Sequence, residues 1–382
     1  MERQLRIAFT GGGTGGHVYP LLAVVEEIKT VLDTRRDVDY ELYYFGAPGP
    51  YAQELVAAGL TIRPILSAKV RRYMSALNVV DAFKMPFALV QALWKMFWVM
   101  PDVLFSKGGT GALPVVVAAF VYRVPIFIHE SDSIPGLSNT ISYRLARRVA
   151  VSFEKTREIW RGDKVALVGN PVRSFLLERD KTVNTQRAKQ IFGLEVNTPM
   201  ILVLGGSQGS ARLNEFFLEN AREIVGTFQI LHQTGPDNFE TFKAELAVVT
   251  KDFIPQQRQR YRIVNFFREE IKEALEAADV IVSRAGSGAV FEIALTGKPS
   301  ILVPLKESAR NHQFYNAYEY AKAGACIVVE EPNLTPAVFF SQVAHLLKDT
   351  KRYQEMAASA RAFARPDAAH LIAEELVRVG GI

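Results

Sequence analysis

The forty residues ADVIVSRAGSGAVFEIALTGKPSILVPLKESARNHQFYNA, from Ala278 to Ala317, leave a chain like this one few ways to fold. Val280–Ser283 is an apolar run too short for a helix and reads as a strand buried on both faces. Arg284–Gly288 is a glycine-rich turn. Ala289–Thr296 follows with helical spacing, placing Val290, Ile293 and Ala294 on one face and Gly297 as the stop. Ser300–Pro304 is a second buried strand, and Asn316–Ala323 is again helical. The result is a βαβ unit whose first strand delivers a glycine turn to a helix N-terminus, where unpaired backbone N–H groups attract phosphates.

Glu292 lies about one turn into that helix, on the side of the glycine turn. A carboxylate there suits a ribose diol beside the phosphates better than the phosphates themselves. The plainer reading is a solvated first-turn acid favoured by the helix dipole. Past the second strand, Ser308–Gln313 adds Asn311, His312 and Gln313 at the edge where open α/β sheets bind ligands. A nucleotide carrying a sugar on its distal phosphate fits this set.

The same grammar runs along the chain. Arg6–Thr10 is a strand leading into Gly11-Gly12-Gly13-Thr14-Gly15-Gly16-His17 and a helix from Tyr19 to Leu32. Gly11, Gly13 and Gly16 match a dinucleotide fingerprint, but the next strand, Tyr40–Phe45, ends in Gly46-Ala47-Pro48 with no acid for a nicotinamide ribose. No Lys-Ser/Thr follows the glycines, which excludes a P-loop. Pro101–Ser106 ends in Lys107-Gly108-Gly109-Thr110-Gly111, Ile126–His129 in His129-Glu130-Ser131-Asp132, and Met200–Leu204 in Gly205-Gly206-Ser207-Gln208-Gly209-Ser210. Strand–helix alternation restarts after Gly169-Asn170-Pro171, so 382 residues divide into two doubly wound parallel-sheet domains facing across a cleft.

Composition narrows the function. A single cysteine, Cys326, in an apolar run excludes an internal disulfide and a cysteine-built zinc site. MERQLRIAFT enters a strand directly and carries no signal peptide, so a cytosolic protein is expected. A net charge of +5 without Lys/Arg runs gives no nucleic-acid footprint. The charge is local: Lys69, Arg71, Arg72, Lys84 and Lys95 stand against Asp81 alone between Ser67 and Met100. Tyr73, Met74, Phe83, Met85, Phe87, Trp94, Phe97 and Trp98 are interleaved with them. Lys84, Gln91 and Lys95 leave no uncharged stretch of about 18–20 residues for a membrane span. Part of the Leu77–Met100 helix must pack in a core, but tryptophans beside lysines suit an anionic lipid surface.

GGGTGGHVYP (11–20), HESDSIPG (129–136), VGNPVR (168–173), LGGSQGS (204–210) and the 279–317 block, in that order, closely resemble the MurG family of N-acetylglucosaminyltransferases of peptidoglycan synthesis. The resemblance implies the GT-B fold, with an acceptor domain at 1–170 joined by a returning C-terminal helix at 366–382, and a donor domain at 171–365. It implies UDP-N-acetylglucosamine as donor, lipid I (undecaprenyl-diphosphate-linked muramyl-pentapeptide) as acceptor, and inverting transfer giving lipid II at the cytoplasmic face of the cell membrane, where other cell-wall synthesis proteins are possible partners. By the same resemblance Glu292 holds the ribose, and Gly286, Ser287, Gly288, Ala289, Val290 and Phe291 offer backbone N–H groups to the diphosphate. Arg173 and Ser207 lie near the nucleotide, Phe267 meets the uracil within one residue of register, Gln313 and Asn316 face the donor sugar, and Thr14, Gly15 and Gly16 line the acceptor side.

The chain departs from the family pattern in three places. Asp132 replaces an amide of the usual HEQN, Thr110 replaces a tyrosine, and the loop before His312 is one residue longer. For the base that takes the acceptor proton, His17 is the first candidate and Asp132 and Glu130 its rivals; His129 reads as a structural residue closing its strand. His17 has its own plain reading, as a residue that orders the turn. Helix N-termini at Gly288 and Gly206 are expected to meet the leaving-group charge, with no metal cofactor required. Asp37-Val38-Asp39 matches Asp-x-Asp but stands at the opposite end of its strand, as a solvated turn. The competing classes are another GT-B enzyme using UDP-N-acetylglucosamine, such as an epimerase or a transferase with a different lipid acceptor, and a non-catalytic cell-wall scaffold that binds the nucleotide without turnover.

Overall fold

A computed structural model describes residues 3–34, 38–66, 76–178 and 184–381, and only the backbone within 76–83. Residues Met1–Ser174 and Arg365–Ile382 form one compact unit and Phe175–Ala364 another.

The first unit is built on a parallel sheet of seven strands: β1 (Arg3–Thr10), β2 (Val38–Phe45), β3 (Thr61–Arg63), β4 (Val103–Ser106), β5 (Ile126–Glu130), β6 (Arg148–Val151) and β7 (Val165–Leu167). Their order is β3-β2-β1-β4-β5-β6-β7. Alternation along the strands fills both faces. Leu5, Ile7, Phe9, Val103, Phe105 and Phe127 pack with the helices Gly15–Asp33 and Ala368–Val379. Ala8, Leu104, Ile126 and Ile128 pack with the helices Ala76–Val99 and Leu113–Val121. Continuous apolar strands are what a sheet covered on both faces requires.

The second unit repeats this plan with six parallel strands: β8 (Met200–Leu204), β9 (Gln229–Gln233), β10 (Tyr261–Val264), β11 (Val280–Ser283), β12 (Ser300–Leu302) and β13 (Ile327–Val328). Their order is β10-β9-β8-β11-β12-β13. Ile201, Val203, Val280 and Val282 pack against Phe216, Phe217, Phe339 and Val343.

In each sheet the strand order reverses next to the first strand, and ligands of such sheets bind outside the strand C-termini at that reversal. In the first unit the reversal lies between β1 and β4, where the turns 11–16 and 107–111 emerge. In the second it lies between β8 and β11, where the turns 205–210 and 284–286 emerge. Asp39 lies in β2 opposite Gln4, near the N-terminal edge of the sheet, and Asp37 is outside the described residues.

Candidate functional site

In the second unit the glycine turns are pressed together. A Cβ on Gly209 would stand 2.2 Å from the Thr234 carbonyl oxygen, and one on Gly235 2.4 Å from the Gly209 Cα. Both residues have positive φ, so only glycine fits this approach. Gly206, Gly286 and Gly288 have open space where a side chain would project.

The helix after β11 begins at Ser287, earlier than the Ala289 expected from spacing, and ends at Gly297 in the left-handed conformation. The early start decides which amides are available. Val290 N–H is already bonded to the Gly286 carbonyl oxygen (3.0 Å), whereas Ser287, Gly288 and Ala289 are the helix's first three residues, whose amides have no partner within it. The Val290 and Phe291 side chains are buried, and the Phe291 ring meets Phe363 at 5.4 Å. The phosphate-facing set is therefore narrower than Gly286–Phe291. Glu292 lies on the same helix, half-buried.

Buried Arg284 heads this turn and holds it to its neighbours. Its guanidinium donates to Ser210 Oγ (Nη2, 2.6 Å), the Val303 carbonyl oxygen (Nη1, 3.1 Å) and Glu331. Arg212 completes the network on Glu331 (2.6 Å) and Glu307 (2.9 Å). Motif reading passed over Arg284 because its role rests on contacts with residues far along the chain.

Two expectations are corrected here. Phe267 is a core residue, 2% exposed, with its ring against Phe192 at 6.2 Å, and cannot stack on a base; half-buried Phe266 is the more accessible of the pair. Asn316 is fully buried and donates from Nδ2 to the Ala285 carbonyl oxygen (3.1 Å), so it braces the glycine turn instead of facing a sugar. Gln313 Oε1 accepts the Leu305 N–H (3.0 Å), and His312 Nδ1 lies 2.7 Å from the Ala309 carbonyl oxygen. Arg310 and Asn311, just before them, both have φ of 55°, a strained conformation for side-chain-bearing residues. Ser207 is half-exposed in its turn, and Cys326 is buried immediately before β13.

In the first unit the helix begins at Gly15, with the His17 and Val18 amides bonded to the Thr14 carbonyl oxygen (2.9 and 3.1 Å). His17 thus belongs to the first helical turn. Its Nδ1 lies 2.9 Å from Thr14 Oγ1, and the edge bearing Nε2 faces Gly109, where a Cβ would stand 3.7 Å away. Gly15 and Gly16 sit beside it, and Thr110 opens the short turn after Gly109. Arg173 stands over the Tyr19 ring at 5.5 Å and belongs to this unit.

Glu130 is buried at the end of β5 and accepts the Asp132 N–H (3.0 Å), the Gly136 N–H (2.9 Å) and Asn139 Nδ2 (3.1 Å). Burial, and then the charge of Asp132, push its carboxyl up to about 7. All three partners donate, which is the geometry of an ionised acceptor holding the 131–136 turn closed. Asp132 is half-buried on that turn. His129 is fully buried, with Nε2 2.9 Å from the Gly169 carbonyl oxygen, as a strand-closing residue should be.

On the helix Ala76–Val99, Ala88, Ala92, Met96 and Val99 face the core. Phe87, Trp94 and Trp98 are 66%, 64% and 68% exposed, with Val90 and Phe97 between them and Phe120 and Val121 also exposed. Lys95 Nζ donates to the Pro64 carbonyl oxygen, and Gln91 Oε1 accepts the Leu66 N–H (3.0 Å). Lys69, Arg71 and Arg72 fall outside the described residues, as does the Phe83 side chain.

Two reversal points with glycine turns, one followed by an acid-bearing helix, define a doubly wound α/β protein with a candidate anion-binding turn in its second unit. Residues 7–151 match the glycosyltransferase family 28 N-terminal domain and residues 200–372 the family 28 C-terminal domain. The chain is 33% identical over 350 residues to the UDP-N-acetylglucosamine--N-acetylmuramyl-(pentapeptide) pyrophosphoryl-undecaprenol N-acetylglucosamine transferase of Clostridium tetani, covering 91% of each chain. It is 32% identical over 358 residues to the protein of that name from Clostridium kluyveri, covering 93% of this chain and 95% of the relative. The crystal structure of MurG from Acinetobacter baumannii superposes with a TM-score of 0.70 at 26% identity, covering 98% of this chain and 99% of that one. A UDP-GlcNAc 2-epimerase of Neisseria meningitidis shares the fold, with a TM-score of 0.68 at 14% identity over 98% and 100% of the two chains. The chain belongs to the MurG family of N-acetylglucosamine transferases.

Proposed function

We propose that the protein transfers N-acetylglucosamine from UDP-N-acetylglucosamine to the muramyl sugar of undecaprenyl-diphosphate-linked pentapeptide, inverting the anomeric centre. The observation that carries the donor half is the reversal point of the second sheet. There the unspent Ser287–Ala289 amides and half-buried Glu292 lie on one helix, beside the open glycine turn at Gly206. Diphosphate on the amides and ribose on the carboxylate use both features. The departing diphosphate is stabilised by these fixed dipoles, without a metal in the transfer step. On the acceptor side His17 is the base and Asp132 its rival; Glu130 holds the turn between them and the sheet. Incubating the protein with labelled UDP-N-acetylglucosamine and lipid I should yield a disaccharide lipid. Release of the 2-epimer, or nucleotide binding with no transfer, would overturn this assignment.

The protein works as a peripheral enzyme on the cytoplasmic face of the membrane. No helix among the described residues is long and apolar enough to cross a bilayer. The exposed Phe87–Trp98 stripe, with Phe120 and Val121, supports seating at the lipid headgroup level. Lys84 is exposed on the same helix, one turn before Phe87, and adds positive charge near this stripe.

A further inference from the structure

Each sheet carries one buried cation in the residue after its reversal strand: Arg284 after β11 and Lys107 after β4. Even the backbone bonds correspond, Arg284 N–H to the Leu204 carbonyl oxygen (3.1 Å) and Lys107 N–H to the Thr10 carbonyl oxygen (2.9 Å). Arg284 is neutralised by a direct contact with Glu331. Lys107 is not paired in that way. Its Nζ donates to His129 Nδ1 (2.6 Å), Ser131 Oγ and Asn170 Oδ1 (3.2 Å), three neutral acceptors that use all three ammonium hydrogens. His129 can accept on Nδ1 because its Nε2 hydrogen is directed at the Gly169 carbonyl oxygen.

An ammonium 2% exposed among neutral acceptors requires compensating charge. Burial draws the Lys107 amine down to about 7, while Glu130 and Asp132 act in the opposite direction. The titratable groups around it are His129 and Glu130 of β5, Asp132 of the turn beyond, and His17, which packs behind Gly109. The Lys107 turn is also the wall behind the glycine loop: a Cβ on Gly109 would stand 2.8 Å from the Gly12 Cα. Two buried polar atoms beside this cluster, Asn139 Oδ1 and Asn170 Nδ2, have no hydrogen-bond partner among the described residues.

We propose that Lys107 is a positioning residue for the acceptor reaction: through Ser131 and His129 its ammonium ties the turn bearing Glu130 and Asp132 to Asn170 and places a buried positive charge behind that turn. The proposal rests on the acceptor-side reading above. A carboxylate at 132 in place of an amide is tolerable with a buried cation nearby.

The test compares wild type, Lys107→Met and Ser131→Ala in transfer from UDP-N-acetylglucosamine to lipid I, with donor affinity measured by calorimetry. For Lys107→Met we expect kcat/KM for lipid I to fall at least about tenfold and donor Kd to stay within about twofold. The acid limb of its pH profile should move up by about one unit, because carboxylates that lose a nearby cation hold their protons to higher pH. A loss of packing alone would lower the rate without moving that limb. Ser131→Ala removes one acceptor but keeps the charge, so a several-fold fall in kcat/KM for lipid I with the limb in place is expected. A folded Lys107→Met protein with wild-type acceptor kinetics and an unmoved limb overturns the proposal. Should Lys107→Met not fold, unchanged acceptor kinetics in Ser131→Ala overturn it instead. Transfer by the wild type separates these results from a failure of the functional reading, which an inactive wild type would overturn together with the role of Lys107.

Discussion

At the scale of single residues, the site depends on which groups are already committed. Glu292 is half-buried on a helix whose first amides are unspent. We expect Glu292→Ala to weaken UDP-N-acetylglucosamine binding by up to two charge-assisted hydrogen bonds, about 1.5–3 kcal/mol each. Calorimetry on the folded variant checks this, and unchanged affinity would remove Glu292 from the donor site. His17 is set by Thr14 and by the Gly109 wall. His17→Ala should lower kcat by about 10²–10⁴-fold, the share typical of a general base, with donor affinity hardly altered. If kcat survives there and is lost in Asp132→Asn, Asp132 is the base. Phe267 and Asn316 show the limit of motif reading. The family resemblance implies ligand contacts for both, yet one ring fills the core and one amide holds up a turn. Adjacent residues of a turn differ by which way the backbone points them, and sequence order does not encode that.

At the scale of elements, the helix Ala76–Val99 has two apolar faces with different tasks. Small residues, Ala88 and Ala92, let it pack closely on Leu113–Val121, and the aromatic stripe is left outside. An exposed apolar stripe of this length marks an interaction surface. Replacing Trp94, Phe97 and Trp98 together with Gln should reduce sedimentation with anionic vesicles and leave the melting temperature the same or higher. Equal sedimentation of both proteins at low salt would place the docking surface elsewhere. The basic cluster Lys69, Arg71 and Arg72 gives a companion measurement: changing all three to Ser should make the remaining binding less sensitive to salt, because the charge–lipid attraction is what salt screens.

At the scale of the whole molecule, two sheets, of seven and six strands, each reverse next to their first strand, at a point fitted with glycine turns and a buried cation. Stability follows from what else is buried. His232 lies wholly inside the second unit, between Tyr261 Oη (3.1 Å) and Asn214 Oδ1 (3.1 Å), and burial draws its imidazole down to about 3. In the unfolded chain the ring takes a proton near ~6.5. The folded state therefore has its full contribution above that pH and loses it progressively as pH falls toward 3. Glu195, held down to about 2 chiefly by Arg260, adds a loss in the same direction at still lower pH. We expect the melting temperature to fall between pH 7 and pH 4, and to fall less in His232→Gln. Equal slopes for the two proteins would show that His232 has no part in acid lability.

The sequence alone determined the repeating strand, glycine turn and helix, because strands buried on both faces must be apolar and glycine turns cannot be built from other residues. It also located Glu292 and His17 on their turns and the aromatic-basic character of the 67–100 stretch. Only the tertiary structure decided which amides of the 287–296 helix are spent, that Glu130 is committed to its own turn, and that Lys107 and Arg284 occupy matching positions in the two sheets. The side-chain contacts of Lys107 and Arg284 reach partners 19 to 74 residues away along the chain. A hydrogen bond satisfied at that separation leaves no periodic trace in the sequence, whereas burial and backbone conformation do.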